Sequence, residues 1–385
     1  MWCEQVLQFF AFVRGAALSL FVGLGWLPNR LRTEPTVFVA EDGYQIVWET
    51  ARKSTARVTV GGVRYTDHLA GNIRWDQKVH KVEVPFCALD AAGGYEIQYR
   101  HMIVRIEGYK FLQGKEIRKA YAFRPVDFTD GLQIYNISDN HSLLRPADQV
   151  AAYWGEKLDL LILNGDIISD VDSRGQLRGV LELAAAVTHG TRPVLYTRGN
   201  HETRSNYALE LSRWVGTPGA DRYYFTTRLG ALWLAVFDAG EDKQDGHAEY
   251  SGLADFDAYR AKETAYFERV VANAANEYDA PGVEYRLLVV HIPLGDVSAT
   301  QRKWVELANQ MKIDVALTGH EHLLAYYPAG GCAGQNYPLL IGARPLRARK
   351  DGSCTATALE FLNGGITAWF TGVDHQVEQE IKIKE

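Results

Sequence analysis

The stretch LQIYNIS (132–138) runs straight into Asp139-Asn140-His141, and how it is read decides the fold. Two further apolar runs repeat the pattern: LDLLILN (158–164) precedes Gly165-Asp166, and RPVLYTR (192–198) precedes Gly199-Asn200-His201-Glu202. The pattern returns late in the chain, where YRLLVV (285–290) ends at His291 and IDVALT (313–318) ends at Gly319-His320-Glu321-His322. Short leucine-rich and β-branched runs with helical-period segments between them predict buried parallel strands of βαβ type. In open α/β sheets the ligand crevice lies outside the carboxyl ends of the strands. Strand ends that deliver Asp, His and Asn to one rim predict a single site with ligands for two metal ions.

A chain of 385 residues should hold about two domains and bury a full core. The net charge of −6 and pI near 6.0 speak against a dedicated nucleic-acid surface, which is normally basic. Cys3, Cys87, Cys332 and Cys354 fit no close metal spacing, and a chain this large needs no disulfide staple. Free buried thiols are the expectation, with a meeting of Cys332 and Cys354 as the alternative.

Residues 1–34 form an apolar, helical segment built on VLQFFAFV (6–13) and AALSLFVGLGWLP (16–28). Its length suffices in principle to span a bilayer. Arg14 interrupts it, Glu4 and no Lys or Arg precede that point, and no A-x-A-like cleavage site follows. Two readings stay open: a helix docked on the body or on a subunit interface, and an anchor or signal sequence. A cytoplasmic protein is expected, with membrane association or export through residues 1–30 as the alternative.

Residues 35–125 change texture. VFVAEDG, YQIVWET, ARVTVGG, HKVEVPF, YEIQYRH and KAYAFRP alternate with a period of two and are punctuated by Gly-Gly, Asp-Gly and Pro. They predict a small antiparallel β-sandwich with a supporting or substrate-selecting role. His68, His80 and His101 are isolated within it.

Residues 126–385 are expected to form a second domain, the one that carries the five metal-ligand motifs. Helices are expected in SRGQLRGVLELAAAV, TRSNYALELSRWVG, TAYFERVVANAAN and SATQRKWVELANQM, and a hairpin in YYFTTRLGALWLAVFDAG ends at Asp238. EDKQDGHAEYSGLADFDAYR (241–260) is too long and polar for an ordinary connection and reads as a lid or a solvated loop. LLIGARPL, TATALEFLN and GITAWFTG are strands that could add a second sheet behind the first.

DNH, GD, GNHE, a strand-terminal His and GHEH, in this order, resemble the calcineurin-like metallophosphoesterase superfamily over roughly Gln133 to Phe370. The resemblance implies a four-layer α/β/β/α sandwich. The preceding all-β, Ig- or fibronectin-like domain is similar to that of purple acid phosphatases. It also implies two metal ions, Mn, Fe or Zn, as cofactors and a small-molecule phosphate ester as substrate. Asp166 matches the bridging carboxylate, while Asp139, His141 and His322 match one metal's ligands and Asn200, His291 and His320 the other's. Asp139 and Asp166 thereby belong to the catalytic set with His201, which matches the non-ligand histidine that protonates the leaving group or stabilises phosphoryl charge. Ser169 stands where purple acid phosphatases carry a tyrosine ligand, and GDIISDVDSRG departs from the GDxxDRG of serine/threonine protein phosphatases.

Around this set, Arg204, Lys243, His247 and Tyr250 are candidates for substrate binding, each with exposure on a helix start or loop as the plain alternative. Asp170 and Asp172 could tune the site or line a solvated loop, Asp238 could be a simple turn residue, and His189 reads as a helix end. The implied activity is hydrolysis of phosphomonoesters or phosphodiesters by a metal-bridging hydroxide. A catalytically silent scaffold and a nuclease of the same superfamily are the alternatives.

Overall fold

A computed structural model describes residues 2–23, 29–106, 110–332, 334–342 and 354–385. The chain begins with α1 (Trp2–Gly23), β1 (Thr36–Val39), β2 (Gly43–Val60), β3 (Val63–Thr66), β4 (His68–Leu69), β5 (Asn72–Ile73), β6 (Gln77–Pro85), α2 (Phe86–Ala92), β7 (Gly94–Ile106), β8 (Lys110–Gln113) and β9 (Ile117–Ala122). It continues through β10 (Leu132–Ile137), α3 (Leu144–Ala151), β11 (Leu160–Asn164), α4 (Arg174–Thr188), β12 (Pro193–Thr197), β13 (Phe225–Leu229) and β14 (Leu232–Val236). The rest comprises α5 (Phe256–Ala272), β15 (Tyr285–Val289), α6 (Ala299–Gln310), β16 (Val315–Thr318), β17 (Leu324–Tyr327), β18 (Leu339–Gly342), β19 (Thr355–Leu362), β20 (Gly365–Gly372) and β21 (Val377–Lys384).

Two sheets face each other. In the first, β10, β11 and β12 run parallel; in the second, β14, β15, β16 and β18 do. One side of each strand fills the space between the sheets: Ile134, Ile162 and Leu195 from the first meet Leu234, Leu287 and Leu317 from the second. The other sides are covered by helices, α3 and α4 over Leu161, Leu163 and Val194, α5 and α6 over Leu288, Val290 and Ala316. Strands buried on both faces are apolar throughout, which is why these runs lack alternation.

The amino-terminal strands are hydrogen-bonded into the first sheet. β1 pairs in parallel with β12, and β2 pairs with β1 through its first half and with β7 through its second. β2 is one 18-residue strand where two are expected, with a register shift between Glu49 and Ser54 marking the junction. The bulge lets one strand change partners without ending. β1 covers the edge that β12 would otherwise expose.

Three expectations need correcting. Of the tail runs, LLIG (β18) joins the second sheet beside β16, whereas β19 and β20, followed by β21, extend the first sheet, because β19 pairs antiparallel with the open edge of β10. TRSNYALELSRWVG is not an α-helix but two 3-10 turns, His201–Thr203 and Ala208–Arg213, separated by Ser205 at φ +75°. A left-handed residue there interrupts any helical ladder. The third concerns α5, which starts at Phe256 inside the segment read as loop, because the Asp245 carboxylate caps it by accepting from the Phe256 and Asp257 amides at 3.0 Å each.

Cys87, Cys332 and Cys354 are free; Cys87 is exposed rather than buried, and Cys3 lies outside the residues whose side chains are described. In α1, Leu7, Phe9, Phe10, Phe12 and Leu20 are exposed, and no described helix is long and apolar enough to cross a membrane. The 24–28 part of the apolar stretch and the ARPL part of LLIGARPL lie outside the described residues.

Candidate metal centre

The five motif loops follow the carboxyl ends of β10, β11, β12, β15 and β16, and backbone bonds tie them together. Asp139 N donates to Gly165 O (3.1 Å), His141 N to Asp166 O (3.0 Å), Ser142 N to Ile167 O (2.9 Å) and Gly319 N to His291 O (2.8 Å). Carboxylates add to this: His201 N donates to Asp166 Oδ1 (2.9 Å) and His320 N to Asp139 Oδ2 (3.0 Å). Asp139, His141, Asp166, His320 and His322 all take positive φ, between +44° and +68°. Each such non-glycine residue costs of order 1–3 kcal/mol and persists only where its surroundings over-determine it. Tight turns of this hand aim the side chains off the strand ends into one space.

Two ligand-forming groups result, Asp139-His141-Asp166-His322 and Asp166-His291-His320, and each group's donor atoms lie within 4.8 Å of one another. Asp166 belongs to both. Asn200 Oδ1 joins the second group at 3.1 Å from His320 Nδ1. His291 Nδ1 donates to Asn164 O (2.8 Å), which turns Nε2 toward Asp166 Oδ2 at 3.3 Å, buried and without a hydrogen-bond partner. Such an outer contact is how a ligating imidazole is held in one tautomer. Burial would raise the Asp166 carboxyl, but the imidazoles of His291 and His201 outweigh it and hold the group well below the usual range. Burial would lower His291, yet Asp166 and Asp139 raise it to about 10. Buried carboxylates that draw positive charge this strongly, with an orphaned nitrogen aimed between them, fit a bound cation.

Glycines make room for this convergence. A Cβ on Gly199 would sit 2.3 Å from Asp166 N and Oδ1, and one on Gly319 would sit 2.5 Å from Asp139 Oδ2.

His201 stands beside the cluster. Its Nδ1 donates to Ser169 O (2.5 Å), and its Nε2 lies 3.8 Å from Asp166 Oδ2. The backbone of Ser169 thus orients His201, while Ser169 Oγ donates to His141 O (2.9 Å). Asp170 comes within 3.9 Å of His201 Nδ1 and is half exposed; Asp172 contributes its backbone N–H to Gln176 Oε1 (2.7 Å).

Arg204, Lys243, His247 and Tyr250 come together around acidic groups. Buried Glu241 accepts from Arg204 Nε (2.5 Å) and Nη2 (2.9 Å), Thr203 Oγ1 (3.0 Å) and Tyr250 Oη (2.5 Å). Lys243 pairs with Glu249 (3.1 Å) and Asp242 (3.4 Å), and His247 Nδ1 accepts from Glu249 N (3.3 Å). Asp242 also reaches 3.8 Å from His320 Nε2, so this loop touches the centre through an acid. Asp238 is fully buried and pairs with Arg198 (2.6 Å) and Tyr259 (2.7 Å), linking β14 to the residue before Gly199. His189 caps α4.

Glu202 ends the Gly199-Asn200-His201-Glu202 motif and has a role that the motif alone does not reveal. Its buried carboxylate accepts four backbone N–H groups: Asp166 (2.9 Å), Gly199 (2.9 Å), Ile167 (2.7 Å) and Ile168 (3.2 Å). It clamps the GD loop to the GNHE loop. A carboxylate inside a strand-end motif was the available signal.

Comparison with known proteins agrees with this architecture. The chain resembles the structure of a purple acid phosphatase, PPD1, from seeds of yellow lupin (Lupinus luteus), with 12% identity, a TM-score of 0.60, and coverage of 92% of this chain and 74% of that one. It resembles the structure of PhoD with 10% identity, a TM-score of 0.53, and coverage of 92% and 90%. Identities this low speak to the fold alone. No curated protein matches the sequence. The model of the calcineurin-like phosphoesterase family matches residues 132–324, the half of the chain that carries β10 to β16 and all five motif loops, and to that family the chain belongs.

Proposed function

We propose that the protein is a dinuclear-metal-dependent hydrolase of phosphate esters, acting on monoesters or diesters. The observation that carries this reading is Asp166: one carboxylate shared by two groups of ligand-forming side chains. Asp139, His141 and His322 would hold one cation, Asn200, His291 and His320 the other, with Asp166 between them. Mixed nitrogen and oxygen donors suit Mn, Fe or Zn. Bound there, two divalent cations supply charge stabilisation for an in-line displacement and hydroxide at neutral pH.

The chain's own groups do the rest. His201, oriented through Ser169 O, presents Nε2 to the same space as Asp166. It protonates the departing alkoxide or stabilises charge on the phosphoryl oxygens. Glu202 keeps the two central loops in register, and the positive-φ turns keep the ligands converged. Arg204, Lys243, His247 and Tyr250 would meet the substrate's ester group only by exchanging present partners, Glu241 for Arg204 and Tyr250 and Glu249 and Asp242 for Lys243.

The test strips the protein with chelator and restores Mn, Fe or Zn singly, then compares p-nitrophenyl phosphate with bis-p-nitrophenyl phosphate. Metal-dependent turnover that His201→Ala abolishes is the expected result, and the preferred ester separates monoesterase from diesterase. Two bound metals with neither ester cleaved would favour the scaffold reading. The nuclease reading would need DNA cleavage with steeply salt-dependent binding.

A further inference from the structure

The second half of β2 and the facing part of β7 present a polar face away from the core. Ser54, Ala56 and Val58 are buried, so the alternate residues Thr55 and Arg57 face the other way. Across the ladder Thr55 pairs with Arg100 and Arg57 with Gln98. The β4–β5 hairpin and Trp75 stand over this face, and a cavity of about 530 Å³ lies between.

The charge in this cavity is unbalanced. Glu116 is shared by Arg100 (3.2 Å) and Arg118 (2.5 Å), and Glu96 serves Arg118 at 3.4 Å. Arg57 pairs with no carboxylate among the described residues, and its Nε is buried with no hydrogen-bond partner. Arg57 is half-buried, and its Nε lies out of water with no acceptor, so an anion in the cavity would supply both a hydrogen-bond partner and a counter-charge. The planar fork of the guanidinium matches a carboxylate or a phosphoryl group. Trp75 adds a flat apolar wall of the kind on which a ring stacks. Gln98 spends its amide donors on Thr59 Oγ1 (2.9 Å) and Glu96 Oε1 (2.7 Å), which leaves its carbonyl to accept from a ligand hydroxyl.

We infer that this cavity is a second binding site, separate from the metal centre, for a small organic anion: a ring bearing one carboxylate or phosphoryl oxyanion. The oxyanion sits on Arg57 and the ring against Trp75. The inference does not rest on hydrolysis at the metal centre. It gives the amino-terminal strands a recognition role of their own.

Calorimetric titration of the metal-loaded, full-length protein with glucuronate, benzoate and phenylphosphonate tests it, alongside Arg57→Met and Trp75→Ala. Saturable binding of at least one probe is expected, weakened about tenfold or more in each variant. Phosphonate binding that persists in Arg57→Met belongs to the metal centre. Binding of the carboxylates alone identifies a sugar or aromatic acid, and Arg57-dependent binding of phenylphosphonate alone a phosphoryl ligand. Absence of binding by all three probes would overturn the inference, as would binding indifferent to both substitutions.

Discussion

The Nε2 atoms of His141 and His322 face each other at 3.1 Å although the residues lie 181 positions apart. His322 Nε2 is also 3.3 Å from Asp139 Oδ1, and His141 Nε2 is 3.9 Å from Asp166 Oδ2. Ring nitrogens and carboxylate oxygens turned inward on one point are arranged to share a positive charge. The same logic holds across Asp166, where His291 takes the corresponding place.

That sharing separates the ligands by consequence. Asp166→Asn should lose metal from both clusters and lose turnover, whereas His322→Ala should lose metal from its own cluster first. Elemental analysis of the purified variants reads the difference. Equal loss in both would mean that Asp166 does not bridge.

His201→Ala should keep its metals and lose turnover by roughly 10²–10⁴-fold, the range of a general acid. Metal analysis and ester hydrolysis on one preparation decide it. Metal lost together with activity would make His201 a ligand.

Gly199→Ala should abolish turnover and lower the melting temperature. Its Cβ would press on Asp166 N and Oδ1 at 2.3 Å and on Glu202 Oε2 at 2.7 Å, atoms that cannot yield without opening the clamp between the loops. Gly246→Ala, with nothing within 4 Å, is the control expected to melt with the wild type.

Away from the centre, His80 should make the fold acid-sensitive. Burial, and to a lesser degree Arg213, pushes its pKa down from 6.5 to about 3, and Asp67 stands 4.0 Å away. The folded pKa lies below the unfolded one, so this contribution is complete above pH 6.5 and declines as pH falls toward 3. Between pH 6.5 and 5 the loss is about 1.6 kcal/mol. Urea midpoints at those two values should therefore fall further in the wild type than in His80→Gln. Equal falls would show that His80 is not held neutral.

Much of this was legible because it is local. Ligand-capable side chains at the ends of apolar runs need only the next few residues to be recognised. The amphipathic helices α4 and α6, the latter capped by Ser298, announce themselves within one window. Where reading failed, the deciding partner was distant or the backbone unusual. Asp245 starts α5 from 11 residues upstream, and Ser205 breaks a helical pattern through its own φ. Arg204 looked free in the sequence and is paired bidentately with Glu241, 37 residues on.

By itself the sequence determined the family, the parallel strands and the residue types that end them, since periodicity and side-chain chemistry are written in order along the chain. Tertiary structure alone decided which edges are joined. β1 against β12 and β19 against β10 make one sheet of strands that sequence spacing assigns to different domains in the first case and to different sheets in the second. Exposed strand edges must be covered, and which strand covers them depends on burial and loop closure over the whole molecule. The same holds for Glu202, whose four amide partners lie in two loops that only folding brings together.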